Sequence, residues 1–210
     1  MPKKKKSKND DKPNFKFGGS HTNDDSDDEG SDLIEIMNNH IYFYSDVNNK
    51  SAFELTKAFN KVKLEIQALK CKYGVEGIIH LHINSYGGCV FSAFCIIDEM
   101  RKIQNEGIEI YTYCEGKVAS AGTMISIHGN KRFMSKNALM LIHELSSCFW
   151  GKFSEMEDDW ENSKMLMDKI KKMYKENCKF KKRQLDNILK HDIWFDADKC
   201  LAHSLVDEIL

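Results

Sequence analysis

The feature that most constrains this chain is an alternation of short apolar runs with longer segments of helical periodicity. Residues 78–83 form an apolar run bounded by turn residues, which predicts a buried strand, and residues 90–105 have helical spacing. The same criteria predict strands at residues 41–44, 108–114, 131–134 and 138–142, and helices at residues 51–72, 153–178 and 182–189. Strands that alternate with helices imply right-handed βαβ units, so we expect an α/β fold with a mostly parallel sheet.

The first 32 residues differ from the rest of the chain in composition. They contain a basic run from Lys3 to Lys6, an acidic run over residues 24–29, and only Phe15 and Phe17 as large apolar residues after the initial Met. So little apolar surface cannot offset the entropy cost of ordering. We therefore predict a disordered charged tail over residues 1–32 and one folded domain over residues 33–210. The lysine run also fits a nuclear or nucleic-acid signal, but no aromatic residues are interleaved with it.

The overall composition excludes several classes of protein. The 210 residues are 41% hydrophobic and 30% charged with a formal net charge of −1, which favours a soluble core without nucleic acid as a partner. No run approaches 18 apolar residues, so we expect no membrane span, and no apolar segment of a signal peptide follows Met1. The seven cysteines contain no C-x-x-C pair. We expect reduced, mostly buried thiols in a cytoplasmic compartment, with no metal site and no cofactor.

A serine lies among small residues in the segment Gly-Lys-Val-Ala-Ser-Ala-Gly, residues 116–122, at a predicted strand-to-helix turn. Small neighbours allow a substrate to approach the backbone around Ser120. A serine hydroxyl becomes an effective nucleophile when an imidazole takes its proton and a carboxylate holds the imidazole. Taken alone, Ser120 is explained equally well as a buried serine in a close helix contact.

A second turn, at Gly87 and Gly88, joins a predicted strand to a predicted helix. Backbone N–H groups at such a turn point outward at the positive end of the helix dipole, which suits an oxyanion. The spacing matches neither phosphate-binding loop pattern. Taken alone, a tight turn that requires positive φ explains the glycines slightly better than a binding role.

Two further segments supply a histidine and an acid. His143 ends the predicted strand at residues 138–142, and Asp192 precedes the apolar residues 193–195. Taken alone, His143 is more simply a hydrogen-bonded histidine at a strand end. Glu144 is the alternative acid, but adjacent side chains on an extended segment point in opposite directions, so Asp192 is preferred. The strand histidines at positions 80 and 82 are predicted to have structural roles.

Together these segments resemble the ClpP family of serine peptidases. The resemblance rests on residues 83–90, 116–122, 139–143 and 192–210, in this order. It implies the ClpP/crotonase-like α/β fold of repeated βαβ units, with residues 153–178 as a long protruding "handle" helix. By the same resemblance, Ser120 is the nucleophile, His143 the general base and Asp192 the orienting acid, and the oxyanion donors are the backbone N–H groups of Gly88 and Ala121.

The resemblance also implies a function. Members of the family are serine endopeptidases that cleave unfolded polypeptides inside a chamber of one or two heptameric rings, fed by an AAA+ unfoldase. Tyr86 stands where the family usually has proline, and the charged tail is unusual, as in phage- or organelle-type members. The alternatives are a catalytically silent ring subunit, a capsid-maturation-type protease, and a crotonase-like acyl-CoA enzyme. The combination of Ser120, His143 and Asp192 favours the peptidase, since neither the silent subunit nor the acyl-CoA enzyme needs all three.

Overall fold

A computed structural model describes residues 33–74 and 76–210, so the predicted tail lies outside the described residues. The strands of the described part are β1 Leu33–Met37, β2 His40–Tyr44, β3 Ile78–Ser85, β4 Glu109–Ala119, β5 Lys131–Met134, β6 Leu139–Leu141, β7 Trp194–Phe195 and β8 Glu208–Ile209. The helices are α1 Asn49–Tyr73, α2 Val90–Asn105, α3 Ala121–Ser126, α4 Phe153–Asn177, α5 Lys182–Ile188 and α6 Ala197–Ala202.

Helix α1 is slightly longer than its apolar periodicity predicts because both of its ends are capped. At the start, the Asn48 side chain accepts a hydrogen bond from the Ser51 N–H at 2.9 Å, and the Ser51 hydroxyl accepts one from the Asn48 N–H at 3.0 Å. This reciprocal pair is a capping box, which satisfies N–H groups that lack partners in the helix. At the other end, Gly74 adopts a left-handed conformation with φ of 68°.

The sheet is mostly parallel, which confirms the predicted α/β class. Its strand order is β1-β2-β3-β4-β5-β8, and β6 pairs with both β4 and β7. The antiparallel pairs are β1 with β2 and β6 with β7. Strand β1 was not predicted. The prediction of a strand at residues 108–114 was wrong at its end, because β4 continues to Ala119. The first part of β4 pairs with β5 and its last part with β6, so this long strand has a different partner along each part of its length.

One face of the sheet forms the core with α1 and α2. The side chains of Ile79, Leu81 and Ile83 on β3 are completely buried, in alternation with the histidines that face the other way. His82 on that other face bonds Glu115 Oε1 through Nδ1 at 2.8 Å and His40 Nδ1 through Nε2 at 2.9 Å. These contacts agree with the structural role predicted for it.

Within the part of the chain that the structure describes, helix α4 packs on the domain through its C-terminal part. Its buried residues are Ile170, Met173 and Tyr174, whereas Phe153 and Trp160 are 76% and 60% exposed. The N-terminal part therefore projects from the domain, as expected of the predicted handle helix.

The prediction that most of the thiols are buried was wrong. Four thiols are exposed and three are buried: the exposed ones are Cys71, Cys89, Cys95 and Cys148, and the buried ones are Cys114, Cys178 and Cys200. Among the helices described, none combines the length and the apolar character needed to cross a bilayer.

Candidate active site

All of the predicted site residues except Asp192 follow parallel strands whose carboxyl ends meet at one edge of the sheet. Ser85 of β3 pairs with Val118 of β4, and Ala119 of β4 pairs with Leu141 of β6. The Ser120 N–H continues this ladder by donating to the carbonyl of Leu141 at 2.9 Å. Because the three strands run in the same direction, the segments that follow them emerge side by side.

Ser120 occupies a strained position between β4 and α3. Its φ of 52° and ψ of −122° are rare for a residue with a side chain, and cost about 1–3 kcal/mol in general. Ala121 is the first residue of α3, so its N–H has no acceptor four residues earlier. Ser120 is half-buried at this turn, and the position of Ala121 leaves its N–H outside the helical hydrogen bonds, as in a strand-to-helix nucleophile turn.

The glycine turn packs directly on this serine turn. Gly87 has φ of 92°, and a Cβ atom at that position would lie 2.6 Å from the Ala119 carbonyl oxygen and 2.7 Å from the Ser120 Cβ. Such distances are far below van der Waals contact, so no side chain fits at position 87. The close approach of the two turns therefore depends on glycine.

Gly88 is held in place by Val47, a contact that no sequence pattern indicated. The Val47 N–H donates to the Gly87 carbonyl and the Cys89 N–H donates to the Val47 carbonyl, both at 2.7 Å. This bridge uses the groups on either side of Gly88, and within residues 33–74 and 76–210 no hydrogen bond involves the N–H of Gly88 itself. The two predicted oxyanion donors are the N–H groups of Gly88 and Ala121. Neither takes part in the regular hydrogen bonds of its own segment.

The start of α2 favours negative charge beside this turn. Burial raises the pKa of the Cys89 thiol, but hydrogen bonds from Ser92 and Phe91 outweigh it and bring the pKa below the ordinary value. A lowered pKa means that the anion is stabilised relative to the thiol. These donors at the start of α2 therefore stabilise negative charge on the Cys89 sulfur.

Tyr86, the residue that differs from the usual proline, is fixed by a cation–π contact. The Lys117 Nζ lies 3.6 Å from the centroid of the Tyr86 ring, which is 60% exposed. The contact joins the glycine turn to β4.

His143 and Asp192 are brought together by the antiparallel pair β6 and β7. His143 Nδ1 lies 3.6 Å from Asp192 Oδ1, slightly beyond hydrogen-bond distance, and the two side chains are 24% and 80% exposed. The alternative acid, Glu144, has an exposed side chain, and its N–H donates to the Leu189 carbonyl at 2.7 Å.

Ser120 lies beside the segment that leads to His143, but the two are not directly bonded. Within residues 33–74 and 76–210, the hydrogen bonds of Ser120 involve its N–H and carbonyl, and none joins its hydroxyl to the imidazole. Over the same residues, no group of His, Cys, Asp or Glu side chains is arranged to hold a metal ion.

Comparison with known proteins identifies relatives of this chain. A family model described as Clp protease matches residues 29–210. The ATP-dependent Clp protease proteolytic subunit of Streptococcus mutans is 33% identical over 136 residues, which cover 63% of this chain and 68% of that protein. The ATP-dependent Clp protease proteolytic subunit 1 of Rhodopirellula baltica is 28% identical over 134 residues, covering 63% of this chain and 58% of that protein.

A solved structure supports the fold. An asparagine-to-aspartate mutant of ClpP1 from Listeria monocytogenes superposes with a TM-score of 0.70 at 21% identity, over 82% of this chain and 91% of that one. Together with the family match over most of the sequence, this similarity leads to one conclusion: the chain belongs to the Clp protease family.

Proposed function

We propose that this protein is a serine endopeptidase that hydrolyses peptide bonds of unfolded polypeptides. The observation that carries the proposal is the packing of the Gly87 turn on Ser120, at the edge of the sheet from which His143 also emerges. This packing brings together two turns, one with the Ser120 hydroxyl and the Ala121 N–H and the other with the Gly88 N–H. Family membership favours peptide hydrolysis over the crotonase-like alternative.

The mechanism assigns one role to each residue. Ser120 Oγ attacks the peptide carbonyl while His143 takes its proton, and the C–N bond breaks as His143 returns that proton to the leaving amine. Water then hydrolyses the acyl-enzyme by the same route. Asp192 orients the imidazole through Nδ1, and the N–H groups of Gly88 and Ala121 bind the oxyanion, a contribution worth roughly 10²–10³ in rate per donor.

The names of the relatives and the surface of α4 support an assembled form. Both relatives are proteolytic subunits of an ATP-dependent Clp protease. The projecting part of α4 exposes large apolar side chains: Phe153, Met156, Trp160 and Met165. Clustered exposed apolar residues of this kind mark interaction sites. We therefore place this chain in one or two heptameric rings that receive substrate from an AAA+ ATPase.

Labelling with a fluorophosphonate probe tests the proposed nucleophile. Wild type and the control Ser154→Ala, an exposed serine on α4, should be labelled, and Ser120→Ala should not. Native mass spectrometry of the same samples should give a ring of seven or fourteen subunits for all three proteins.

Two outcomes would contradict this assignment. Labelling of Ser120→Ala at the wild-type rate would remove Ser120 as the nucleophile. An assembled wild-type ring that reacts neither with the probe nor with peptides would instead support the catalytically silent subunit.

A further inference from the structure

The phenol of Tyr174 is buried where α4 meets the core. Tyr174 is 1% exposed and is among the largest fully buried side chains of the domain. A buried hydroxyl needs a hydrogen-bond partner, and the partner of Tyr174 is Thr123 Oγ1 on α3. Burial raises the pKa of Tyr174 well above its ordinary value, so the phenol remains a donor at any assay pH.

Thr123 in turn donates a hydrogen bond to Ser120, the proposed nucleophile. Its Oγ1 donates to the carbonyl of Ser120 at 2.7 Å. A threonine hydroxyl has one hydrogen to donate, so Tyr174 must be the donor to Thr123. The result is a directed chain from Tyr174 through Thr123 to the Ser120 carbonyl, in which each bond polarises the next.

The Ser120 carbonyl and the Ala121 N–H belong to the same peptide group. A peptide unit is planar, so whatever fixes the direction of its C=O also fixes the direction of its N–H. The unit follows a residue with φ of 52°, a conformation that the chain does not favour by itself. The Ser120 oxygen also accepts hydrogen bonds from the backbone N–H groups of Thr123 at 3.0 Å and Met124 at 3.4 Å. The side-chain hydrogen bond from Thr123 is the shortest of the three, so it further restricts the orientation of the Ala121 N–H and strengthens it as a donor.

We propose that Thr123 and Tyr174 are positioning residues that orient the Ala121 N–H toward the oxyanion. The proposal rests on the proposed function, since it concerns the same reaction. Neither residue touches substrate; Thr123 acts through the peptide group and Tyr174 acts through Thr123.

The chain offers a matched control at the other end of α3. Thr112 is also completely buried, and its Oγ1 donates to the carbonyl of Ser126 at 2.8 Å. Thr112→Val therefore removes the same kind of buried hydroxyl-to-carbonyl bond as Thr123→Val. It differs in leaving the peptide group of Ser120 and Ala121 untouched.

The experiment compares four variants with wild type: Thr123→Val, Thr123→Ser, Tyr174→Phe and Thr112→Val. For each assembled protein, the second-order rate constant of fluorophosphonate labelling and the kcat and KM for a short fluorogenic peptide are measured. Thr123→Val should lower the labelling rate constant and kcat by about 10-fold or more, with KM little changed. This loss is smaller than the roughly 10²–10³ expected when an oxyanion donor is removed, because the Ala121 N–H is still present. Tyr174→Phe should lower them by about 3-fold to 10-fold, because it weakens the chain without removing its last bond.

The controls separate positioning from stability. Thr123→Ser keeps the hydroxyl and should restore most of the activity lost in Thr123→Val, whereas Thr112→Val should be destabilised but labelled at the wild-type rate. Wild-type labelling of both Thr123→Val and Tyr174→Phe, or an equal loss in Thr112→Val, would overturn the positioning role alone. If Thr123→Val does not assemble, Tyr174→Phe, which lacks a single oxygen, decides in the same way. A wild-type ring that the probe does not label would overturn the proposed function and the positioning role together.

Discussion

His143 faces Asp192 across the end of the antiparallel pair β6 and β7, with Nδ1 3.6 Å from Oδ1. The ladder pairs Met140 with Phe195 and Leu141 with Trp194, and the same register continued by two residues sets His143 opposite Asp192. Asp192 is 80% exposed, so water screens its charge. Alignment of the two strands, more than a buried ion pair, therefore brings the carboxylate to the imidazole.

Asp192→Asn should lower kcat/KM for peptide hydrolysis by about 10-fold to 10²-fold, less than the roughly 10⁴ that follows loss of a buried triad aspartate. The smaller effect is expected because the carboxylate is solvated and not tightly bonded. His143→Ala should cost more, since it removes the proposed general base. The matched control is Asp198→Asn, an exposed aspartate on α6, which should keep wild-type activity. Equal losses in the Asp192 and Asp198 variants would remove Asp192 from the site.

Gly87→Ala should abolish most activity because its Cβ would push the glycine turn away from Ser120. The expected loss in kcat is at least the roughly 10²–10³ attached to one oxyanion donor. Gly107 is the matched control, since its φ of 83° is similar but a Cβ there meets no atom within 4 Å. Both variants should lose about 1 kcal/mol of stability from the positive φ. Gly87→Ala should lose more stability than this because of its clash, and only Gly87→Ala should lose activity. Full activity of Gly87→Ala would show that the contact between the turns is dispensable.

Asp207→Asn should lower the free energy of unfolding by about 1–3 kcal/mol, as expected when a charged partner is lost. Arg132 binds both carboxylate oxygens of Asp207, through Nε at 2.9 Å and Nη2 at 2.6 Å, and also donates to the Asn177 carbonyl. The Arg132 side chain is 11% exposed, so its charge would be left poorly solvated.

The control for this variant is the ion pair of Glu54 and Lys57 on α1. Its atoms are 2.6 Å apart, but both side chains are about half exposed, at 43% and 54%. Glu54→Gln should change stability by less than about 1 kcal/mol in chemical denaturation. Similar losses in the two variants would show that burial of Arg132 is unimportant.

Stability should fall as the pH is lowered through the titration range of histidine. Burial lowers the pKa of His128 below its ordinary value of 6.5, and the nearby Arg101 lowers it further, against a hydrogen bond to the Met124 carbonyl that raises it. His128 Nδ1 donates to that carbonyl at 2.6 Å and Nε2 accepts from Arg101 at 3.2 Å, so the neutral ring is the one that fits.

The sign follows from proton binding. Between the folded and unfolded pKa values the unfolded chain binds more protons, so the free energy of unfolding decreases as the pH falls below about 6.5 and levels off below the folded pKa. His128→Gln should show a weaker dependence than wild type in denaturation between about pH 7.5 and pH 5. An identical pH dependence in the two proteins would show that His128 does not contribute to it.

Local patterns were sufficient to predict most of the elements and the segments that form the candidate site. The predicted helix at residues 90–105 and strand at residues 131–134 coincide with α2 and β5, because apolar periodicity depends on neighbouring residues only. The glycines at positions 87 and 88 and the small residues around Ser120 also carry a local signal, since only such residues fit positive φ and close packing. The roles assigned to Ser120, His143 and Asp192 remain predictions from the resemblance.

What the sequence alone determined is therefore most of the alternation of strands and helices, the approximate bounds of the longer helices, and the turns. The tertiary structure decided which strands pair: β1 with β2, β4 with both β5 and β6, and β7 with β6. It also decided that Gly88 pairs with Val47 and that Thr123 contacts Tyr174. These contacts join residues far apart in the chain, and their register depends on long-range packing and hydrogen bonds that no local periodicity specifies.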